Sequence, residues 1–384
     1  MLAVLSLLVG QVALTRRDTF KVLVIHSYNT DLPWVGDVNA GIDRALAAHP
    51  TRVQVRRHYM NLLSYPDCNH FRLAAEDARL AIDDWRPDAI VLVDDLAQAL
   101  VGFPALHWRQ GAPVGVLRDA LAAQLALDRC PGRGAAFFGL DRSLQSTPPT
   151  PLFFAGVNGD VDRYGYHAAD NVTGIYEHKS FAALAETLAA VRVASSDPAT
   201  AVQPLNDGST SSLAERGDYV ASHIANWLPP RNVQTFEQWK AAVRQASIDN
   251  VMLLIANYQN LADERGHLVP AHEVVAWTES HSRQPAIGAA TDYVTDGGLM
   301  TLAISGTEQG EAAMEMLFDY RADGRMPPER TARRFLVGMN PALMRKRALR
   351  LPAIYEAFAR EQGRFLDVSE HFYADDAALA GASR

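Results

Sequence analysis

One strand–loop–helix unit near the N-terminus, residues 21–46, constrains the fold more than any other part of the chain. The run Val22–Ile25 is apolar throughout, which is typical of a parallel strand buried on both faces. Further on, apolar residues recur with the spacing of one helix face, at Val38, Ile42, Ala45 and Leu46. The loop between them is rich in polar and aromatic residues. Because open α/β sheets bind ligands at the carboxyl ends of their strands, this loop is a candidate binding loop.

The same alternation of strands and helices continues along the chain and restarts after Asp170. Further strands are predicted at Val53–His58, Ala89–Val93, Leu152–Ala155, Val172–Ile175, Ala201–Leu205, Val251–Ile255 and Ala286–Ala289. Helical patterns lie at Arg72–Trp85, Phe181–Val191, Leu213–Trp227 and Phe236–Ala246. We therefore predict an α/β protein with two doubly wound parallel-sheet lobes in tandem. The segment 103–150, with one helix candidate at Val116–Leu127, is either a lid or an insertion.

Composition and length fit two domains and exclude some partners. With 384 residues and 48% apolar content, the chain can bury more than one core. Its net charge of −8 argues against a nucleic-acid-binding surface. The apolar N-terminal stretch is too short for a comfortable membrane span, so we predict a signal or anchor segment over residues 1–19, although its arginines follow the run. The two cysteines, Cys68 and Cys130, either form a disulfide or remain free thiols.

Polar or aromatic residues follow most of the predicted strands. They are Ser27, Tyr28, Asp94, Asp95, Asn158, Asn206, Asp207, Asn257, Tyr258 and Asp292, with Trp34 further along the first loop. Any one of them has a plain explanation as a turn former or helix cap. Together they would gather on one edge of each lobe, because the carboxyl ends of parallel strands share an edge. Such an edge suits a small polar ligand, which apolar walls bury and a few polar groups orient.

Signatures of catalysis are absent from the sequence. It contains no GxSxG, HExxH, P-loop or GxGxxG motif, and its histidines lack metal-ligand spacing. Asp94 and Asp95 are neighbours on an extended chain and therefore point to opposite faces. We expect one of them to face the cleft and the other to cap the next helix. The sequence thus predicts no catalytic residue, metal or cofactor, and the remaining enzyme hypothesis is an α/β enzyme that uses a cleft aspartate.

A set of motifs in a fixed order resembles one protein family. The segments are VLVIHSYNTDLPW, IVLVDDLA, LFFAGVNGD, NVTGIYE, LNDGST, VMLLIANYQN, TDYVTDGGLMTLAISGTEQGEAA, GRMPPE and VGMNPALMRKRALRLP. They resemble the substrate-binding proteins of bacterial ABC importers, in the branch with the type I periplasmic-binding fold. Similar sequences also serve as sensor portions of bacterial signalling proteins. The resemblance covers roughly residues 20–175 and 200–352.

The resemblance implies two lobes joined by a hinge of three chain segments, near 158–171, 301–305 and 328–335. The lobes would comprise 20–160 plus 302–328 and 161–301 plus 329–366, with a tail at 367–384. It implies that the polar and aromatic residues after the strands contact the ligand, with Ser27 donating a hydrogen bond and the lobes closing over the solute. It further implies a monomer that is periplasmic or otherwise extracytoplasmic, whose partner is an ABC permease or, alternatively, a sensor protein. The solute stays open among an amino acid, a purine-like base and a polyol.

Overall fold

The computed structural model describes residues 19–49, 52–65, 67–124, 149–195, 197–222 and 226–366. The chain divides into two units. The first comprises residues up to 31 together with 35–176 and 306–331, and the second comprises 32–34, 177–305 and the residues from 332 onward. Within the described ranges, no helix is both long enough and apolar enough to cross a membrane. The predicted N-terminal segment and the tail lie outside the described residues, apart from Thr19.

Each unit is built on one sheet, and the predicted α/β fold class is confirmed. The strands are β1 (Phe20–His26), β2 (Val53–Tyr59), β3 (Ala89–Val93), β4 (Leu152–Val157), β5 (Val172–Tyr176), β6 (Ala201–Asn206), β7 (Arg231–Asn232), β8 (Val251–Ile255), β9 (Ile287–Gly288), β10 (Met300–Ile304), β11 (Arg330–Thr331) and β12 (Phe335–Met339). The first sheet has the order β11-β5-β4-β3-β1-β2, and the second β12-β10-β9-β8-β6-β7. All pairs are parallel except β10 with β12, which is antiparallel.

Helices connect and cover the strands. They are α1 (Pro33–Ala48), α2 (Cys68–Trp85), α3 (Asp95–Ala97), α4 (Phe103–Ala105), α5 (Val114–Gln124), α6 (Phe181–Ala194), α7 (Thr210–Ala221), α8 (Phe236–Ile248), α9 (Ala271–His281), α10 (Asp292–Thr295), α11 (Gly306–Asp323), α12 (Pro341–Lys346) and α13 (Ala353–Glu361). A π-helical turn, Gln98–Gly102, joins α3 to α4. Local sequence sets the ends: the Asp67 carboxylate accepts from the backbone of Asn69 and His70 to start α2, and Thr235 and Gln238 form a capping box on α8.

Three predictions about the chain path need correction. The lobe boundary at 160/161 is wrong, because β5 pairs with β4 in the first sheet and the chain leaves the first unit only after Tyr176. Segment 301–305, predicted as a crossing, is mostly strand β10, and the chain returns to the first unit after Ser305. Helix α7 ends at Ala221, short of the predicted Trp227, which instead forms a bridge with Val202. Apolar periodicity identifies a strand but does not say which sheet it joins, and for this reason the first boundary was misplaced.

The two cysteines and the segment 103–150 are only partly described. Cys68, the first residue of α2, is disulfide-bonded. Cys130, the other cysteine of the chain, lies outside the described residues. Helices α4 and α5 occupy the beginning of the segment 103–150. Residues 125–148, like Cys130, lie outside the described residues. The two alternatives for this segment, a lid and an insertion, therefore both stay predictions.

Two helices of the first unit approach each other at glycines. A Cβ atom added to Gly41 of α1 would lie 2.0 Å from the Thr307 carbonyl oxygen, and one added to Gly310 of α11 would lie 2.0 Å from that of Val38. The side chain of Gln309 on α11 also accepts from the Gly156 amide at 2.9 Å and donates to the Tyr176 carbonyl at 3.2 Å. Helix α11 therefore completes the first unit although it lies far along the chain.

We expect Gly41→Ala to destabilise the protein by about 1–3 kcal/mol, because the new methyl group meets backbone that cannot rotate away. The measurement is urea unfolding of the full chain. Gly36→Ala on the same helix is the matched control: nothing lies within 4 Å of its added Cβ. Helix propensity should make that variant up to about 1 kcal/mol more stable. Equal effects of the two substitutions would contradict the close approach.

Candidate functional site

Topology makes the edge of the first unit between β1 and β3 its candidate binding edge. From β1 the chain runs to β2 on one side and then to β3 on the other, so the strand order reverses there. Ligands of open α/β sheets bind at such switch points, outside the carboxyl ends of the strands. Ser27 follows β1 at this point and is fully buried. Its hydroxyl donates to the Val93 carbonyl at 2.9 Å and accepts from the Ala97 amide at 2.8 Å, so its predicted donation to a ligand would require breaking an existing bond.

The two aspartates after β3 have different environments. Asp95 is fully buried, and its two carboxylate oxygens accept hydrogen bonds from the Tyr164 hydroxyl at 2.5 Å and the Asn158 amide at 3.1 Å. Asp94 precedes α3 but makes no side-chain capping bond to it. The expectation that one aspartate caps the next helix is therefore wrong. The Asp95 carboxylate is buried, and its two hydrogen bonds tie the first turn of α3 to the loop after β4.

Gln98 was not recognised from the sequence, yet it organises this edge. Its side-chain nitrogen donates to the carbonyls of Leu92 at 2.9 Å and Asp94 at 3.2 Å, and its oxygen accepts from the Tyr166 hydroxyl at 2.5 Å. A glutamine inside the helical pattern DDLAQAL gives no signal of this role, because helices carry glutamine routinely. The π-helical turn that starts at Gln98 is a local irregularity of a kind found often at functional sites.

The switch point of the second unit lies between β6 and β8, and two asparagines follow these strands. Asn206 is fully buried, and its amide nitrogen donates to Asn232 Oδ1 at 3.1 Å, while its own Oδ1 is buried without a hydrogen-bond partner among the described residues. Within the same part of the chain, the Nδ2 atom of Asn257 is also buried without a partner, as is the hydroxyl of Thr291 after β9. Leaving such groups unpaired costs about 1–3 kcal/mol each, so each calls for an explanation.

Asp207 is fully engaged in holding the second unit together. Its Oδ1 accepts from the Ser209 amide at 3.0 Å and the Ser212 hydroxyl at 2.8 Å, and its Oδ2 accepts from the Asn260 amide at 3.0 Å. These bonds fix the start of α7 and the loop after β8. Its placement next to Asn206 was predicted, but its partners make it a structural residue of this edge.

Tyr258 lies in the core of the second unit, and as a ligand contact it stays a prediction. It is completely buried, its ring packs edge-on against Tyr293 at 5.9 Å, and its hydroxyl donates to Asp296 at 2.6 Å. Burial, reinforced by the Asp296 carboxylate, raises the pKa of Tyr258 well above its usual value. Burial likewise raises the pKa of Asp296. An aromatic residue after a strand fits either core or site by its sequence, and here its hydroxyl bonds to a partner inside the unit.

The structure also gives the positions of the remaining predicted residues, Tyr28, Trp34 and Asp292. Tyr28 is half-buried and packs against the apolar core of the first unit. Trp34 is 8% exposed, and its indole nitrogen is buried with no hydrogen-bond partner in the part of the chain that the structure describes. Asp292 begins α10 and is buried, with a 3.5 Å contact from Gln259 to its Oδ2. As ligand contacts, all three stay predictions.

Two other clusters of polar residues are visible within single units. Asp160, Asp162 and His167 of the first unit have potential ligand atoms within 4.8 Å of one another, but all three are exposed and His167 is already paired with Asp162. In the second unit, Lys179 lines a small pocket with Ser180, Ala289 and Phe335, and its ammonium group pairs with Glu215 at 2.8 Å. Neither arrangement has the donor set of a buried metal centre.

Comparison with solved structures decides the fold. The ABC domain in complex with L-Trp from Streptococcus pneumonia matches with a TM-score of 0.58 and 13% identity, over 88% of this chain and 98% of that one. The ligand-free, open structure of a substrate binding protein with adhesive properties from Clostridium difficile matches with a TM-score of 0.56 and 12% identity, over 87% and 97%. The fold is that of the type I periplasmic-binding proteins.

The type I periplasmic-binding fold does not by itself assign a role. A Bacteroides fragilis protein that has been assigned as a LacI-type transcriptional regulator shares this fold. It matches with a TM-score of 0.50 and 11% identity, over 84% of this chain and 97% of that one. No family model and no curated protein matches the chain. Because one fold hosts several functions, the role has to be argued from the residues at the strand ends.

Proposed function

We propose that this protein is an extracytoplasmic solute-binding protein that captures a small polar molecule for the permease of an ABC importer. The observation that supports it most is the pair of buried, unpartnered polar atoms at the switch point of the second unit, Asn206 Oδ1 and Asn257 Nδ2. In a binding protein, a solute supplies the missing donor and acceptor. The transport role is carried over from neighbours of the same fold whose names include an ABC domain and a substrate binding protein.

The polar atoms of the second unit indicate the chemistry of the solute. Asn206 presents an acceptor, Asn257 presents a donor, and the Thr291 hydroxyl can do either. All three groups are uncharged. The part of the solute that binds here would therefore be neutral and would carry both donors and acceptors, as hydroxyl and amide groups do.

In this proposal the protein binds its solute without transforming it. The Asp95 oxygens already accept bonds from Tyr164 and Asn158, and those of Asp207 accept three further bonds. A general base needs an oxygen within reach of a substrate proton, and these carboxylates are occupied by the protein itself. The proposal also includes a monomeric protein without a nucleic-acid partner.

The test is thermal unfolding of the purified protein with a panel of L-amino acids, monosaccharides, polyols and nucleobases. A solute at 100 times its dissociation constant adds about 2.7 kcal/mol of stability. We expect Asn206→Leu to weaken the affinity for the stabilising probes at least about tenfold, or about 1.4 kcal/mol. Without probe, the melting temperature of this variant should change little, because the substitution also removes an unpaired oxygen.

Thr235→Ala is the matched control. The Thr235 hydroxyl caps α8 by accepting from the amide of Gln238 at 3.2 Å. Its loss should cost about 1 kcal/mol of stability and leave the affinity unchanged. The proposal fails if no probe stabilises the wild-type protein, or if Asn206→Leu binds the probes as the wild type does.

A further inference from the structure

A second asparagine lies beside Asn206 at the candidate binding edge of the second unit. Asn232 ends β7 and is the register partner of Asn206, which ends β6, so the two side chains leave the sheet on the same face. The side-chain nitrogen of Asn206 donates to Asn232 Oδ1 at 3.1 Å. This bond therefore joins two carboxamides at the carboxyl ends of adjacent parallel strands.

The bond determines which end of the Asn206 carboxamide points away from β7. A carboxamide has a donor end and an acceptor end. Since Asn232 takes the nitrogen of Asn206, the oxygen of Asn206 points away from that partner, and within the described ranges it is buried and makes no hydrogen bond. A half-turn of the carboxamide would bring this oxygen against Asn232 Oδ1, and two acceptors cannot bond to each other.

Holding the two strands together does not require this bond. The backbone already fixes β7 against β6, because the strands pair in register and the Val233 amide donates to the Asn206 carbonyl at 2.9 Å. The Gln203 side chain of β6 adds a bond to the Pro229 carbonyl, just before β7, at 3.3 Å. An apolar residue in place of Asn206 would leave no buried oxygen unpaired, and an unpaired buried acceptor is unfavourable. The asparagine pair therefore fits a binding role better than a packing role.

We propose that Asn232 is a positioning residue, which holds the Asn206 carboxamide with its oxygen towards the solute and so makes this edge select a group that donates a hydrogen bond. This inference rests on the proposed function and adds the rule of selection at one of its contacts. A hydroxyl or N–H group of the solute satisfies the Asn206 oxygen, whereas an ether or carbonyl oxygen at the same place meets it as a second acceptor. Both asparagines belong to the second unit, so the inference concerns this unit alone.

The experiment measures the affinity of two Asn232 variants for those probes of the thermal panel that stabilise the wild type. In Asn232→Asp, the carboxylate can only accept, so it bonds to the Asn206 nitrogen and keeps the Asn206 oxygen in place. We expect this variant to bind within about threefold of the wild type. In Asn232→Leu, the Asn206 nitrogen has no acceptor and the carboxamide can turn, so the affinity should fall at least about fivefold.

Selectivity is the readout that a merely structural role would not move. Each stabilising probe is compared with analogues in which one donor at a time is replaced by an acceptor-only group of similar size, such as fluorine for a hydroxyl. The wild type should bind one of these analogues at least about tenfold more weakly than the parent probe. In Asn232→Leu this ratio should shrink, because a turned carboxamide offers its nitrogen to the acceptor.

Gln203→Leu is the matched control, because it removes a different side-chain bond of β6, on the opposite face of the strand from Asn206. It should bind the probes and rank the analogues as the wild type does. Three results would overturn the inference: an equal loss in Asn232→Asp and Asn232→Leu, wild-type binding and selectivity in both, or the same loss in Gln203→Leu. If Asn206→Leu alone loses binding, the proposed function stands without this inference. A wild type that responds to no probe refutes the proposed function, and this inference with it.

Discussion

Replacing Arg347 with methionine is expected to lower the free energy of unfolding by about 3–5 kcal/mol at neutral pH, because the substitution leaves a buried carboxylate without its cation. Arg347 Nη2 contacts Glu279 Oε2 at 3.1 Å, and only 5% of the Glu279 side chain is exposed. The same guanidinium nitrogen donates to the backbone carbonyls of Glu279 and Ser282, at 3.0 Å and 3.2 Å. Urea unfolding of the variant measures the loss.

The pH dependence of the Arg347 variant provides a second readout. Burial already raises the pKa of Glu279, against the opposing effect of Arg347. Without the arginine this pKa should rise further. The folded state then binds a proton more tightly than the unfolded state, so the variant should regain stability as the pH falls below neutral. The double variant Arg347→Met, Glu279→Gln should be less destabilised than Arg347→Met alone, and equal losses would contradict the buried-charge explanation.

A second large effect is expected at His26, whose imidazole stacks on Tyr59 at 5.1 Å and contacts Asn39 Oδ1 at 3.2 Å. Burial lowers the pKa of His26 from 6.5 to about 4. Between these two pH values the unfolded chain binds a proton that the folded chain does not. The stability contributed by the neutral ring is therefore complete above pH 6.5 and is lost as the pH falls to 4, by about 3 kcal/mol in total.

The measurement is the free energy of unfolding as a function of pH for the wild type and for His26→Gln. The variant should show a flatter dependence between pH 4 and 6.5, whatever its stability at neutral pH. Half-buried His58, whose pKa burial also lowers, contributes with the same sign and remains in both proteins. An unchanged slope in His26→Gln would contradict the buried neutral ring.

The sequence predicted the elements of this fold better than their connections. Strands β3 and β8 occur at the predicted residues, because continuous apolar runs bounded by polar residues leave little choice of limits. Strand β5 was assigned to the wrong unit, since its partner β4 is set by tertiary pairing that no local pattern encodes. The antiparallel β12 was missed for the same reason.

For the candidate site, the sequence predicted positions, and the structure adds the bonds that these residues make within the protein. Polar residues do follow the strands, as parallel topology requires. Their partners decide what they do: Ser27 and Asp207 bond to the protein backbone, and Tyr258 reaches Asp296 within its own unit. Three of those partners, Val93 of Ser27, Asn260 of Asp207 and Asp296 of Tyr258, lie tens of residues away in the sequence. A single sequence contains the donors and acceptors, but not their pairing.

Helix α11 has a consequence for the order in which the protein can fold as it is made. A ribosome that has joined the first 176 residues has synthesised β1 to β5, but not the helix whose Gly310 packs on α1 or the Gln309 that joins β4 to β5. The nascent chain must wait for more than a hundred further residues before these contacts can form. Until then the Gly41 surface of α1 stays uncovered, so a chain cut after residue 305 should be a target for chaperones and proteases.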